Sequence, residues 1–129
     1  MTFGIIGSGA FGTALSISLS STNKKLILWT RNQDVVNSVQ EIRENRLRLP
    51  GYILPQNIIV TNDINQMGNC SIILIAVPMQ QLRSLVELHR SSLEGKILVA
   101  CCKGFEVSTG QGPTSILEMA SNKTAVLTG

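Results

Sequence analysis

Aromatic residues are scarce in this chain, which has three phenylalanines, one tyrosine and one tryptophan among its 129 residues. Proteins that bind single-stranded nucleic acid stack bases on aromatic side chains, so the sequence excludes a stacking platform of that kind. The formal net charge is +3, and the only local basic groups are Lys24-Lys25 and Arg43, Arg46 and Arg48. We therefore expect no nucleic-acid partner and a modest positive field that suits anionic small molecules.

Long apolar runs and paired cysteines are also lacking. No apolar run is long enough to span a membrane. The first apolar run is also not preceded by the basic stretch and apolar core that are typical of a secretory signal. Cys70, Cys101 and Cys102 are odd in number and form no CxxC motif, which favours reduced thiols packed in a core over a metal or redox site. We expect a cytoplasmic protein with no membrane span and no bound metal.

Short apolar runs alternate with helical segments along the whole chain. The predicted strands cover residues 3–6, 26–29, 58–60, 72–77, 97–100 and 125–127. The predicted helices cover residues 13–21, 33–46, 80–89 and 113–120, with a short helical turn capped by Asn62-Asp63. Residues 47–55 contain two prolines and a glycine and are predicted as a surface loop, with a binding role as the alternative. The alternation predicts an α/β fold with a doubly wound parallel sheet.

Residues 7–12 read Gly-Ser-Gly-Ala-Phe-Gly and lie between the first predicted strand and the first predicted helix. Gly7 allows a tight turn, Gly9 lets the backbone approach a pyrophosphate, and Gly12 lets the helix pack on the strand. The N-terminus of the helix then offers its N–H groups to the phosphates. Three glycines also fit an ordinary strand–turn–helix, but the complete strand–helix–strand unit favours a dinucleotide site.

The end of the second strand indicates which dinucleotide is accepted. An acidic residue there binds the ribose 2′-hydroxyl of NAD, and a basic residue accommodates the 2′-phosphate of NADP. Here Arg31 follows the strand, and the first acid, Asp34, falls inside the next predicted helix. Arg31 can stack on adenine and pair with a phosphate, which favours NADP slightly and leaves NAD or NADP open.

Two further residues follow predicted strands at the ligand edge of the sheet. Pro78 would stiffen the wall beside the nicotinamide, or would simply end its strand. Lys103 could hold a substrate oxygen or phosphate, or polarise a carbonyl, unless it is an ordinary loop lysine. Glu106 is expected to be a solvated loop acid, and His89 to lie far from the crevice with no role as a base.

Taken in order, these pieces resemble the N-terminal domain of bacterial-type NAD(P)-dependent glycerol-3-phosphate dehydrogenases. The residues that carry the resemblance are residues 7–15, 28–31, Asn45, residues 49–51, Leu54-Pro55, Ile58, residues 76–78, Lys103-Gly104 and residues 127–129. The resemblance implies a Rossmann-type fold and an oxidoreductase that interconverts sn-glycerol 3-phosphate and dihydroxyacetone phosphate for phospholipid synthesis. Ala10 in place of a frequent serine, Met79 after Pro78, and Cys101-Cys102 in place of Ala-Thr depart from the family pattern.

The resemblance also implies which residues form the site. The cofactor-binding set is Gly7, Ser8, Gly9, Ala10, Phe11, Gly12, Arg31, Pro78 and Lys103, and the substrate contacts are Lys103, as the catalytic candidate, and Gly129. A helical C-terminal substrate domain with the proton-acceptor lysine is absent, so residues 1–129 are expected to be one domain of a longer homodimeric enzyme. The alternatives are another NAD(P)-dependent hydroxy-acid dehydrogenase with a helical second domain, and a non-catalytic nucleotide-sensing module.

Overall fold

The structure is a computed structural model that describes residues 2–22 and 25–127. Its strands are β1 (Phe3–Ile6), β2 (Leu26–Trp29), β3 (Glu44–Asn45), β4 (Leu49–Ile53), β5 (Ile58–Thr61), β6 (Ile72–Ile75), β7 (Ile97–Ala100) and β8 (Thr124–Val126). Its helices are α1 (Ala10–Ser20), α2 (Gln33–Ile42), α3 (Leu82–Leu88), α4 (Arg90–Leu93) and α5 (Pro113–Leu117). Short 3₁₀ helices cover Ile64–Asn69 and Met79–Gln81.

Six of the strands form one parallel sheet in the order β5-β2-β1-β6-β7-β8. The chain therefore starts at the centre, builds outward to one edge, and returns to build the other half. The strand order reverses between β1 and β6, where Ile6 lies beside Ile75, and on the other side Ile6 pairs with Trp29. In such sheets the crevice at the carboxyl ends of the strands beside this point is where ligands bind.

Apolar side chains cover both faces of the sheet, which explains why its strands are continuous apolar runs. In β1, Ile5 packs into one core cluster and Ile6 into the other, because successive side chains of a strand point to opposite faces. In β2, Leu26 and Leu28 join Ile5, and Trp29 joins Ile6. The predicted doubly wound parallel sheet is confirmed.

Helix α1 packs on the sheet through small residues rather than through a leucine face. Its buried residues are Gly12, Thr13, Ser16 and Ser20. The Ser16 hydroxyl donates to the Gly12 carbonyl at 2.8 Å, and the Ser20 hydroxyl donates to the Ile17 carbonyl at 2.7 Å. Such bonds to the preceding turn satisfy hydroxyls that face the protein interior. The small face lets the helix axis approach the strands closely.

The predictions over residues 33–55 were wrong in two respects. Helix α2 ends at Ile42 instead of residue 46, because Arg43 adopts the left-handed conformation with φ of 55°. The predicted loop over residues 47–55 contains strand β4, which pairs antiparallel with β3 as a small hairpin. The Arg43 guanidinium fastens the end of this hairpin by donating to the Leu54 carbonyl at 3.2 Å and the Ile58 carbonyl at 2.8 Å.

The structure bears on three further features of the sequence. Asp63 caps the 3₁₀ helix by accepting from the Asn65 N–H at 3.0 Å, as predicted for Asn62-Asp63. Cys70, Cys101 and Cys102 are free thiols. Among the described helices, none combines the length and apolar character that a membrane crossing needs.

Candidate dinucleotide-binding site

Gly7 and Gly12 are required by close approach of backbone atoms. Gly7 has φ of +113°, and a Cβ there would lie 2.2 Å from the Ala76 carbonyl oxygen at the end of β6. A Cβ on Gly12 would lie 2.1 Å from the Gly7 carbonyl oxygen. Only glycine fits at either position, because the turn, the neighbouring strand and the first turn of α1 are in direct contact. The two glycines thus hold strand, turn and helix together as the sequence predicts.

Gly9 differs because the space beside it is open. A Cβ on Gly9 would have no protein atom within 4 Å. Gly9 is the N-cap of α1, and no side chain caps this end of the helix. The first turn of α1 also has no acidic residue. The first N–H groups of a helix need an acceptor, and the partial positive charge of the N-terminus favours an anion. This end of α1 therefore has the geometry of a phosphate site.

A cavity of about 740 Å³ opens beside Gly9 at the carboxyl ends of the central strands. Of the predicted cofactor residues, those that line it are Gly7, Ser8, Gly9, Arg31 and Pro78. The rest of the lining consists of Trp29, Thr30, Asn32, Arg48, Ala76, Val77, Gln81, Ser84, Leu85, Leu88 and His89. The volume is within the range of small-molecule and cofactor sites, which reach about 1,000 Å³. The described lining contains two arginines and no carboxylate, so the cavity suits an anion.

The loop after β2 is fastened to the glycine turn. The Ser8 hydroxyl donates to Thr30 Oγ1 at 2.7 Å, and the same oxygen accepts from the Asn32 N–H at 3.0 Å. Asn32 Oδ1 then caps α2 by accepting from the Asp34 N–H at 2.9 Å. Asp34 consequently lies in the first turn of α2, as predicted, and Arg31 is the charged residue at the end of β2 that lines the cavity.

The prediction that His89 lies far from the crevice was wrong. His89 lines the cavity, and its ring stands edge-on to the Trp29 indole with ring centroids 5.1 Å apart. Burial lowers the pKa of His89, which favours the neutral imidazole at pH 7. The sequence pattern placed His89 at a helix end but carried no signal that this end meets β2. Arg48, on the β3–β4 hairpin, is a second cavity residue that the pattern did not reveal as such.

Glu106 is buried, so the expectation of a solvated acid was wrong. The Arg83 guanidinium forms an ion pair with Glu106 at 3.0 Å, and the Thr109 hydroxyl donates to the same carboxylate at 2.6 Å. The Thr109 hydroxyl and Arg83 lower the pKa of Glu106. Gln80 adds two bonds to this loop, donating to the Phe105 carbonyl at 3.0 Å and accepting from the Val107 N–H at 2.9 Å. The segment that follows Lys103 is therefore held firmly against α3.

The remaining predicted residues lie around the cavity edge or outside the described residues. Ala10, Phe11 and Gly12 form the first turn of α1, with the Phe11 side chain exposed. Lys103 is exposed in the loop after β7 and does not line the cavity. Gly129 lies outside the described residues. The structure thus brings five of the predicted cofactor residues into one cavity and places Lys103 on a neighbouring loop.

The cysteines beside Lys103 are poor nucleophiles. Burial, with a contribution from the neighbouring Cys102, raises the pKa of Cys101 to about 11. Burial also raises the pKa of Cys102 and of Cys70. At neutral pH these groups are thiols rather than thiolates, which argues for a packing role. No group of three or more potential metal-ligating side chains is found in the part of the chain that the structure describes.

A doubly wound sheet with a glycine turn and an open helix N-terminus at its switch point defines a class, the Rossmann-type nucleotide-binding domains. The profile of one family of this class, described as the N-terminus of NAD-dependent glycerol-3-phosphate dehydrogenase, matches residues 2–129. This chain belongs to that family.

Similar proteins agree with this assignment. Glycerol-3-phosphate dehydrogenase [NAD(P)+] of Ruegeria sp. strain TM1040 is 44% identical over 131 aligned positions, covering 100% of this chain and 41% of the relative. The enzyme of the same name from Roseobacter denitrificans is 43% identical with the same coverage. The crystal structure of glycerol-3-phosphate dehydrogenase from Coxiella burnetii shares the fold, with a TM-score of 0.89 at 22% identity over 99% of this chain and 40% of that one. The chain thus spans about two fifths of the length of these relatives.

Proposed function

We propose that this chain is the cofactor-binding part of an NAD(P)-dependent sn-glycerol-3-phosphate dehydrogenase. The observation that supports this most strongly is the family match over residues 2–129, together with the open space at Gly9 in a cavity without carboxylates. Bound NAD or NADP would supply a hydride acceptor or donor for the interconversion of sn-glycerol 3-phosphate and dihydroxyacetone phosphate. The chain's own residues would hold and orient the dinucleotide.

In this proposal each element of the site has a separate task. The backbone N–H groups of Gly9, Ala10 and Phe11, at the start of α1, bind the pyrophosphate. Arg31 binds the adenosine half, where a guanidinium can stack on the base and pair with a 2′-phosphate. Pro78 forms the wall beside the nicotinamide. The cavity excludes water from one side of the dinucleotide, and its arginines balance the phosphate charge.

Lys103 is proposed as the residue that contacts both substrate and cofactor. Its loop follows β7 at the carboxyl edge of the sheet, and the Arg83–Glu106 pair holds the following segment against α3. An ammonium group there would stabilise negative charge that develops on the substrate oxygen. Gly129 is proposed as a further substrate contact. The proton acceptor and the phosphate-binding residues would come from a helical second domain, in a cytoplasmic homodimer that serves phospholipid synthesis.

The test is the activity of a longer protein that contains this chain and the second domain. We expect NAD- or NADP-dependent oxidation of sn-glycerol 3-phosphate, and Lys103→Ala should lower kcat by about a hundredfold or more, the usual effect of removing one stabilising donor. Lys123→Ala is the matched control and should leave kcat unchanged, because this exposed lysine directly precedes β8 and its carbonyl accepts from the Leu98 N–H near the start of β7, at the opposite edge of the sheet from Lys103. Lack of activity in a folded, complete protein that binds NADH would favour a nucleotide-sensing module, and full activity in Lys103→Ala would refute the role of Lys103.

A further inference from the structure

A buried asparagine of the β3–β4 hairpin lies directly beneath the glycine turn. Asn45 has no solvent-exposed surface. Its Nδ2 group donates to the Ser8 carbonyl at 2.9 Å and to Thr13 Oγ1 at 2.9 Å. Its Oδ1 accepts from the Arg48 N–H at 3.2 Å. Every hydrogen-bonding group of this amide except one lone pair is therefore used. The two Nδ2 contacts cross from the hairpin to the turn and α1, and the Oδ1 contact stays within the hairpin.

These contacts determine which way the Ser8–Gly9 peptide faces. In a planar trans peptide the carbonyl and the N–H point in opposite directions. Because the Ser8 carbonyl points inward to Asn45, the Gly9 N–H points away from the protein interior, on the side of the cavity that Gly9 lines. Among the described residues, the Gly9 N–H has no acceptor. The Thr13 hydroxyl, which also donates to the Ser8 carbonyl at 3.3 Å, supports the same orientation more weakly.

We infer that Asn45 is a positioning residue for dinucleotide binding, which fixes the Ser8–Gly9 peptide so that the Gly9 N–H faces the pyrophosphate. The inference rests on the proposed function of the cavity. The same asparagine also links the backbone of Arg48, a cavity residue, to the turn. An apolar residue of similar size could fill the space of Asn45 but could not hold the carbonyl.

The test compares variants of this chain by their affinity for NADH and for adenosine, which has the base and ribose but no phosphate. Asn45→Leu should weaken NADH binding roughly ten- to hundredfold, the effect expected when a hydrogen bond to a charged group is lost. Adenosine affinity should stay within about twofold, since the peptide at Gly9 acts on phosphate only. Equal losses for both ligands would indicate general loosening of the fold and would overturn the inference, as would an unchanged NADH affinity.

Two matched controls separate orientation from packing. Thr13→Val removes a buried hydroxyl of the same network but leaves the bond from Asn45 to Ser8, so NADH affinity should fall by no more than about threefold. Ser38→Ala removes a different attachment of the hairpin, in which Ser38 Oγ donates to the Glu44 carbonyl at 2.6 Å and accepts from the Arg46 N–H at 3.3 Å, and it should leave NADH affinity unchanged. Comparable losses in these controls would refute a specific role for Asn45.

A crystal structure of the Asn45→Leu chain decides the inference independently of ligand binding. We expect the Ser8 carbonyl to rotate toward solvent and the Gly9 N–H to leave its outward position. An unchanged peptide would refute the inference, whereas a parent chain that is folded but binds no NADH would refute the proposed function instead. Should Asn45→Leu not fold, Asn45→Ala provides the same affinities and the same structural comparison.

Discussion

The contact between Gly12 and the glycine turn allows a stability prediction from a single methyl group. In Gly12→Ala the new Cβ would stand 2.1 Å from the Gly7 carbonyl oxygen, whereas real Cβ contacts essentially never fall below 3.0 Å. Helix and turn must therefore separate by about 1 Å in a region where both partners are backbone. Overpacking of this kind costs about 1–3 kcal/mol and occasionally more. Alanine recovers about 1 kcal/mol through its helix preference over glycine.

Because the obstructing atom is a carbonyl inside a tight turn, we place the packing cost at the upper end of that range. The expected net loss is about 2 kcal/mol in the free energy of unfolding. With a urea m-value of about 2 kcal/mol per molar, the midpoint of unfolding should fall by about 1 M, measured by circular dichroism. Gly68→Ala is the control, since a Cβ there meets nothing within 4 Å and should change stability by less than about 0.5 kcal/mol. A Gly12→Ala chain at least as stable as its parent would refute the reasoning.

Two further predictions concern titratable groups. Glu106→Gln should destabilise the fold at pH 7, because the pKa of Glu106 is lowered in the folded state. The stabilisation by the Glu106 carboxylate is complete above the unfolded pKa of about 4.3 and disappears as pH falls through the lower folded pKa. Urea midpoints of parent and variant should thus converge at low pH, and a constant difference would contradict the pairing. Cys101, with its pKa raised to about 11, should react with iodoacetamide at pH 7.5 far more slowly than free cysteine. Reaction as fast as free cysteine in the folded chain would show that its thiol is not shielded.

The sequence was most informative where one residue type has a single physical reason to occupy its position. Gly7 and Gly12 could be assigned from their spacing because strand, turn and helix must meet there, and the structure places backbone oxygens at 2.2 and 2.1 Å from the missing Cβ atoms. The apolar runs predicted the buried parallel sheet for a similar reason, since every strand of the sheet except the edge strand β8 contributes side chains to both core clusters.

The sequence-based predictions were wrong where tertiary contacts override the local sequence pattern. Helix α2 stops at a left-handed Arg43, a conformation that sequence normally signals by glycine, and side-chain bonds to distant carbonyls hold that arginine in place. Glu106 is buried only because Arg83, on another element, pairs with it. His89 reaches the cavity because of how α3 packs beside β2. None of these partners is close in sequence, so no local pattern could identify them.

The most direct test of the account is a titration of this chain with NADH, beside the Gly9→Val variant. Trp29, the single tryptophan, lines the cavity, so energy transfer from its indole to bound NADH reports occupancy. A Cβ at Gly9 meets no protein atom within 4 Å apart from its chain neighbours, so we expect the variant to fold, but its side chain would occupy the space of the pyrophosphate. We predict saturable binding to the parent and at least about a hundredfold weaker binding to Gly9→Val, more than one lost charged hydrogen bond would typically cause. Equal binding to both chains would contradict the account.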